Sequence, residues 1–307
     1  MKLAFVFPGQ GSQSVGMMLG LAARPEVRLT FSEASDALSQ DLWTLVSEGP
    51  ADALNQTVNT QPAMLAADIA TWRVWQAMGG PQPEWLAGHS LGEYAALVAA
   101  GTLSFPDAVK LVRFRAEAMQ AAVPEGSGAM AAILGLDDDV VRAVCLEAAA
   151  GDVVEAVNLN SPGQVVIAGS RTAVERAMVL AKEKGAKRAL PLPVSVPSHS
   201  SLMLPAAEKL LAHLQDVAIV APTIPVLHNT DVEPHTSPEA IRVALARQLH
   251  TPVRWVETVQ ALKAAGVERV IECGPGKVLA GLAKRIDDSL PALALVDEAS
   301  LQTALTQ

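Results

Sequence analysis

Ser90 stands in Gly88-His89-Ser90-Leu91-Gly92, a G-x-S-x-G pentapeptide that follows the apolar run EWLA and precedes the Ala-rich stretch GEYAALVAA ending at Gly101. Strand, sharp turn and helix in that order present a serine hydroxyl outward at the end of a sheet. The flanking glycines leave room for a strained turn, and the helix N-terminus with the free Leu91 N–H can stabilise an oxyanion beside Ser90. The chemistry this predicts is nucleophilic acyl transfer. A serine hydroxyl is a weak nucleophile near neutral pH, so a base must lie within hydrogen-bond reach. The chain has 6 histidines. His89 is adjacent, but its side chain cannot easily turn back onto Ser90 across an extended-to-helical bend. His213 falls in a helix of mixed character, and His228, His235 and His250 fall in loops or helix ends, where a surface histidine is the default. His199 follows LPLPVSV and Pro197 at the entrance to a further helix and can reach over the serine from there. Residue types alone leave the choice of base open.

A second charged candidate lies on the helix expected from Ser104 to about Val123, where Ser104 and Asp107 have capping-box spacing and Pro106 suits the first turn. Arg113 shares a face with Lys110, Glu117 and Gln120 and reads as solvated. Arg115 instead lies three or four residues from Leu111, Val112, Ala118 and Met119, on the apolar face. A buried guanidinium needs an anion, either an internal Asp or Glu or a substrate carboxylate. Two glycine-rich turns do not make nucleotide loops. In Pro8-Gly9-Gln10-Gly11-Ser12-Gln13 the third dinucleotide-binding glycine would fall on Ser14, and Gly274-Pro275-Gly276-Lys277 lacks the P-loop spacer and has Val278 where Ser or Thr is needed. Both follow strand-like runs, at the ends where α/β sites are assembled.

The elements that must carry these residues follow from periodicity. LAFVF, EWLAG and ERVIEC are short apolar runs, each leading into a Gly-containing turn and a helical pattern, which predicts parallel strands with crossover helices. Between 125 and 196 the rhythm changes: GAMAAILGL, a helix around 138–149, VVEAVNL, GQVVIAG, a helix around 172–184 and KRALPLPVS read as βαββαβ, a ferredoxin-like order. Asn160, Ser161, Pro162 and Gly163 supply hairpin-turn chemistry between the middle strands. The expected fold is therefore α/β, with a core of 1–124 and 197–307 and an inserted α+β unit of 125–196. At 307 residues and 50% hydrophobic the chain can bury a substantial core. Cys145 and Cys273 have no ligand-like spacing, so no disulfide and no metal is expected. MKLAFVF is too short for a signal segment and no apolar run reaches membrane length, which predicts a cytoplasmic protein. A net charge of -9 disfavours nucleic acid and anionic membranes. Arg171, Lys182, Lys184, Lys187, Arg188, Lys284 and Arg285 could form a local basic patch for an acidic protein partner.

Taken together, FPGQGSQ at 7–13, GHSLGE at 88–93, Arg115 in RFRAEAM, NLNSPGQVVIAG at 158–169, VSVPSH at 194–199, RQLHTPVRW at 247–255 and GPGK at 274–277 resemble the malonyl-CoA:acyl carrier protein transacylases of bacterial fatty-acid synthesis. The match runs in order along nearly the whole chain. The resemblance implies transfer of a malonyl group from malonyl-CoA to the phosphopantetheine thiol of acyl carrier protein, with no bound cofactor beyond coenzyme A as co-substrate, and a monomer. It implies Ser90 as the acylated nucleophile, His199 as its base, and an oxyanion hole from the Gln10 and Leu91 backbone N–H groups. Arg115 would hold the malonyl carboxylate, a main-chain carbonyl near Gln248 would orient His199 in place of an Asp, and Gln61, Asn158 and Asn160 would line or brace the pocket. The implied fold is a hydrolase-like α/β core with a ferredoxin-like insertion and the site in the cleft between. Ser198 departs from the Phe that many malonyl-selective modules carry before the histidine, which leaves room for methylmalonyl or acetyl transfer. Three rivals share features: an esterase, the malonyl transferase of a malonate decarboxylase complex, and a catalytically silent scaffold.

Overall fold

Five short runs form one parallel sheet in the computed structural model, which describes residues 1–194 and 196–306; Ser195, within the VSVPSH run, lies outside the described residues. The strands are β1 (Leu3–Phe7), β2 (Trp85–Gly88), β7 (Val226–Leu227), β8 (Arg269–Glu272) and β9 (Ala292–Ala294), in the spatial order β7-β2-β1-β8-β9. All five residues of β1 are buried, as expected of a central strand covered on both faces. Helix Thr57–Ala77 is buried along most of its length. It sets Trp72 and Trp75 against Phe5, at ring centroid distances of 5.4 and 5.2 Å. The β1 and β2 registers end together at Phe7 and Gly88, so the turns after both strands open at one edge.

The second sheet is antiparallel: β3 (Gly128–Leu134), β4 (Val154–Ser161), β5 (Gln164–Ser170) and β6 (Arg188–Pro191), ordered β4-β5-β3-β6. Helices Asp138–Ala149 and Arg171–Glu183 complete the expected βαββαβ sequence. They cover a separate core that includes Ile133, Val144, Val165, Ile167 and Ala177. The last strand is shorter than the KRALPLPVS run suggested. Pro191 and Pro193 have no N–H to give, and beyond Pro191 the pairing with β3 thins to a Leu192 N–H bond to Met130 O at 2.9 Å.

Backbone bonds tie the small sheet to the segment at Val253, whose side chain packs in the core beside the large sheet. Leu159 N–H donates to Val253 O at 3.0 Å and Val253 N–H to Val157 O at 2.9 Å, so the segment after 250 runs beside β4 like a further parallel strand. Side chains add to this seam: Ser201 Oγ donates to Glu155 at 2.7 Å and Arg285 Nη1 to Gln164 Oε1 at 2.6 Å.

Candidate active site

The turn after β2 is tight enough to dictate its glycines. A Cβ at Gly88 would lie 1.9 Å from the Gly92 carbonyl carbon, and one at Gly92 would lie 2.0 Å from Phe7 O. Between them Ser90 takes a left-handed φ of 52°, the strained geometry of a sharp strand-to-helix turn. Ser90 N–H donates to Asn229 Oδ1 at 2.8 Å, while Asn229 Nδ2 donates to Gly88 O at 2.7 Å, so one side chain ties both limbs of the turn. His89 points away from Ser90 toward Asn160 Oδ1, 2.8 Å from its Nε2. The Leu91 and Gln10 backbone N–H groups donate to no group among the described residues. They belong to neighbouring turns, since a Cβ on Gly9 would come within 3.6 Å of Leu91 N.

His199 reaches the serine from a segment 109 positions away, its Nε2 2.8 Å from Ser90 Oγ. Its Nδ1 lies 2.6 Å from the Gln248 carbonyl, which can only accept, so Nδ1 carries the proton and Nε2 is left to accept from Ser90. Backbone position supports this: His199 has φ 66° and its N–H donates to Leu249 O at 2.9 Å. Burial, and secondarily the Arg115 charge, push the imidazole down to about 3, against a smaller opposing effect of the Gln248 carbonyl. The ring is therefore neutral at physiological pH.

Arg115 is 2% exposed on helix Phe105–Gln120, whose N-terminus Ser104 caps as expected. Its Nη1 donates to Gln61 Oε1 at 2.8 Å, and its Nη2 to Gln248 Oε1 at 2.9 Å and Ser90 Oγ at 3.3 Å. Among the described residues no carboxylate forms an ion pair with it. Of the two anions left open by sequence, an internal acid in direct contact is not there. Two amide oxygens hold the guanidinium, and its buried Nε has no partner. Desolvation lowers its pKa.

A neutral imidazole on a strained serine, beside two free backbone N–H groups and a guanidinium without a carboxylate, is a site for acyl transfer to a hydroxyl. The acyl transferase domain family matches residues 4–301. A malonyl CoA-acyl carrier protein transacylase of Salmonella typhimurium is 59% identical over 307 residues, covering 100% of this chain and 99% of that protein. This chain belongs to that acyltransferase family. Among solved structures, an acyl-carrier-protein S-malonyltransferase from Burkholderia pseudomallei superposes with a TM-score of 0.98 at 62% identity, covering 100% of both chains. A malonyl-transacylase in complex with a type II PKS acyl-carrier protein matches with a TM-score of 0.98 at 56% identity, over 100% of this chain and 99% of that one.

Around this acyltransferase site the remaining expected residues fall at different depths. Gln61 is buried, donating from Nε2 to Thr57 Oγ1 at 3.1 Å. The Gln10 side chain accepts from Thr57 Oγ1 at 3.1 Å. Asn160 meets His89, whereas Asn158 contributes the backbone bridge to Val253. Gln248 does more than the carbonyl role expected of it. Its side-chain Nε2 also donates to Ser90 O at 2.9 Å and Glu93 Oε2 at 3.0 Å.

Two expectations need correcting. His228 is not a surface histidine: it is fully buried, with Nδ1 2.8 Å from Glu93 Oε1. Arg113 is half-buried rather than solvated, because its guanidinium donates to Gln40 Oε1. Sequence reading missed the network of Glu93, His228 and Asn229 altogether. Its one local signal was the Glu of GHSLGE, an acid in the first turn of a helix that is otherwise apolar.

Elsewhere, the Gly274 turn holds no room for a phosphate at the following helix, since Glu272 Oε2 already accepts Ala280 N–H at 2.8 Å. No group of three or more His, Cys, Asp or Glu that could hold a metal occurs among the described residues. Among them, too, no helix is long and apolar enough to cross a membrane. The basic residues divide. Lys187 and Arg188 lie at the Leu134–Gln164 end of the small sheet, with Lys182 bonded to Lys187 O and Arg285 to Gln164. Arg171 bonds Gly126 O at the opposite end.

Proposed function

We propose that this chain transfers a malonyl group from malonyl-CoA to the phosphopantetheine thiol of an acyl carrier protein, through an ester on Ser90, and so supplies malonyl-carrier for fatty-acid synthesis. The observation that carries the reading is that Ser90 Oγ lies 2.8 Å from His199 Nε2 and 3.3 Å from Arg115 Nη2, which sets nucleophile, base and carboxylate receptor on one atom. In the first half-reaction Ser90 Oγ bonds to the thioester carbonyl carbon as His199 Nε2 takes its proton. The Gln10 and Leu91 N–H groups receive the oxyanion, each such donor contributing about 3 to 4 kcal/mol. The C–S bond then breaks and His199 returns the proton to the coenzyme A sulfur. In the second half-reaction the carrier thiol attacks the ester, gives its proton to His199, and Ser90 leaves with it.

Arg115 provides selectivity in this scheme. A malonyl carboxylate supplies the anion the buried guanidinium lacks, while an acetyl group supplies none. Gln61 and Gln248 hold the guanidinium, and Asn158 and Asn160 brace the pocket wall. Residues 1–124 and 197–307 would be a hydrolase-like acyltransferase core and 125–196 a ferredoxin-like insertion, in a monomeric cytoplasmic protein that needs no bound cofactor. Lys187, Arg188 and Arg285, near the hairpin that carries Asn160, fit an acidic carrier; Arg171 does not belong to that patch. Reversing Lys187 and Arg188 should slow discharge to the carrier and leave Ser90 acylation intact.

Intact-protein mass after mixing with malonyl-CoA tests the whole reading. A malonyl adduct absent from Ser90→Ala and discharged by holo-carrier supports it. Folded protein that takes no adduct would refute it, and rapid hydrolysis without carrier would favour an esterase.

A further inference from the structure

We propose that Glu93 is the counter-charge of Arg115, held one amide away so that the guanidinium is balanced without being occupied, and that this separation sets how strongly the site grips a substrate carboxylate. The inference rests on the reading that a malonyl carboxylate meets Arg115.

Glu93 lies in the first turn of helix Gly92–Ala99, three residues after the nucleophile, and is completely buried. Its carboxylate accepts from His228 at 2.8 Å, from the Asn229 N–H at 2.9 Å and from Gln248 Nε2 at 3.0 Å. The other end of the same Gln248 amide accepts from Arg115 Nη2 at 2.9 Å. The amide cannot be reversed, because its NH2 would then face the guanidinium and its oxygen the carboxylate. Glu93 thus fixes which way Gln248 points, and Gln248 passes that order on to Arg115 by its side chain and to His199 by its carbonyl.

Direct contact would have had a different result. A carboxylate paired with both guanidinium nitrogens would take the donors a substrate needs. With no acid nearby, the cation would be uncompensated in an apolar site and would hold any carboxylate tightly through both half-reactions. The Glu93 charge favours the charged form of Arg115 across the intervening amide. A covalent intermediate that must be formed and then discharged is served by an intermediate grip, since binding that is equally tight before and after the reacting step does not accelerate it.

The test is to remove the charge and keep the bonds. In Glu93→Gln the new amide oxygen can accept from Asn229 N–H and Gln248, while its NH2 donates to His228 Nδ1, provided that ring moves its proton to Nε2, which has no partner at present. The expected result is a fall in the KM for malonyl-CoA of about three- to tenfold, with no matching fall for acetyl-CoA, and slower discharge of the malonyl ester. Glu93→Asp keeps the charge, so its malonyl-to-acetyl preference should stay near that of the parent even if both rates drop. Gln248→Glu places a carboxylate on Arg115 itself, with one proton shared between it and Glu93 where the amide NH2 now donates, and should raise the malonyl-CoA KM selectively. An equal effect of Glu93→Gln on both thioesters, or a raised malonyl KM, would overturn the proposal. If that variant does not fold, an unchanged malonyl KM in Gln248→Glu would overturn it instead. Failure of the parent protein to take a malonyl group would refute the function, and not this assignment alone.

Discussion

Two sets of charged groups are buried in this molecule, and they are built in opposite ways. Around Ser90, Glu93 accepts three hydrogen bonds and Arg115 donates to two amides and the serine. On the other side of β1, Asp68 and Glu272 are just as inaccessible, yet both Asp68 carboxyl oxygens and Glu272 Oε1 have no partner among the described residues. Burial pushes Glu272 up to about 7 against the pull of the N–H groups of Ala280, Leu279 and Val278, and raises Asp68 well above the usual carboxylate range, with Glu272 adding to it. Depth disfavours charge in both places. Donors placed on a buried carboxylate offset part of that cost, and Glu93 has three where Asp68 has none among the described residues.

The comparison can be broken most severely at the site. Ser90→Ala should abolish the covalent adduct, read by intact mass. Arg115→Ala leaves two amide oxygens without their donor and a malonyl carboxylate without its cation, so malonyl kcat/KM should fall about 100- to 1,000-fold while acetyl transfer falls less; equal losses in steady-state kinetics would sink the assignment. At Asp68 and Glu272 the effect should appear as pH-dependent stability. Glu272 binds its proton more tightly folded than unfolded, so its contribution is fully present below about 4.5 and is lost as pH rises to about 7. In Glu272→Gln the difference between denaturation midpoints at pH 5 and pH 8 should shrink, by on the order of 3 kcal/mol in free energy. Asn229→Ala should cost about 1 to 3 kcal/mol of stability and lower Ser90 acylation, because the Ser90 N–H and Gly88 carbonyl are left unpaired. The smallest effect is on the pH profile. A positive neighbour depresses an imidazole, so removing Arg115 should move the acid limb of kcat/KM for acetyl-CoA upward from its position near 3.

The regular elements were open to reading from local pattern. The helix expected at 138–149 is Asp138–Ala149, and the runs LAFVF and EWLAG are β1 and β2. Ser90 was legible too, because strand, turn and helix around it are contiguous. His199 was one histidine among several until the resemblance singled it out. Its pairing with Ser90 spans 109 positions, and no local periodicity records a contact at that range. Glu93 with Gln248 spans 155 and His228 with Glu93 spans 135. His228 reads as a loop residue and is one, but the loop turns inward beside the Ser90 turn, and burial of that kind is a tertiary fact. Arg115 could be placed on an apolar face by spacing, whereas its amide partners could not be named.

The backbone seam between Val253 and β4 bears on how the molecule comes apart. Val157 and Leu159 are registered to Val253 by the same kind of bond that holds a sheet together, so the segment between helices Pro238–Gln248 and Trp255–Ala264 is tied into the edge of the small sheet. The Leu159 and Val253 amides should then exchange their hydrogens with deuterium at matched, slow rates. A site framed this way keeps its shape between arrivals, so an acyl acceptor meets the same walls the donor left.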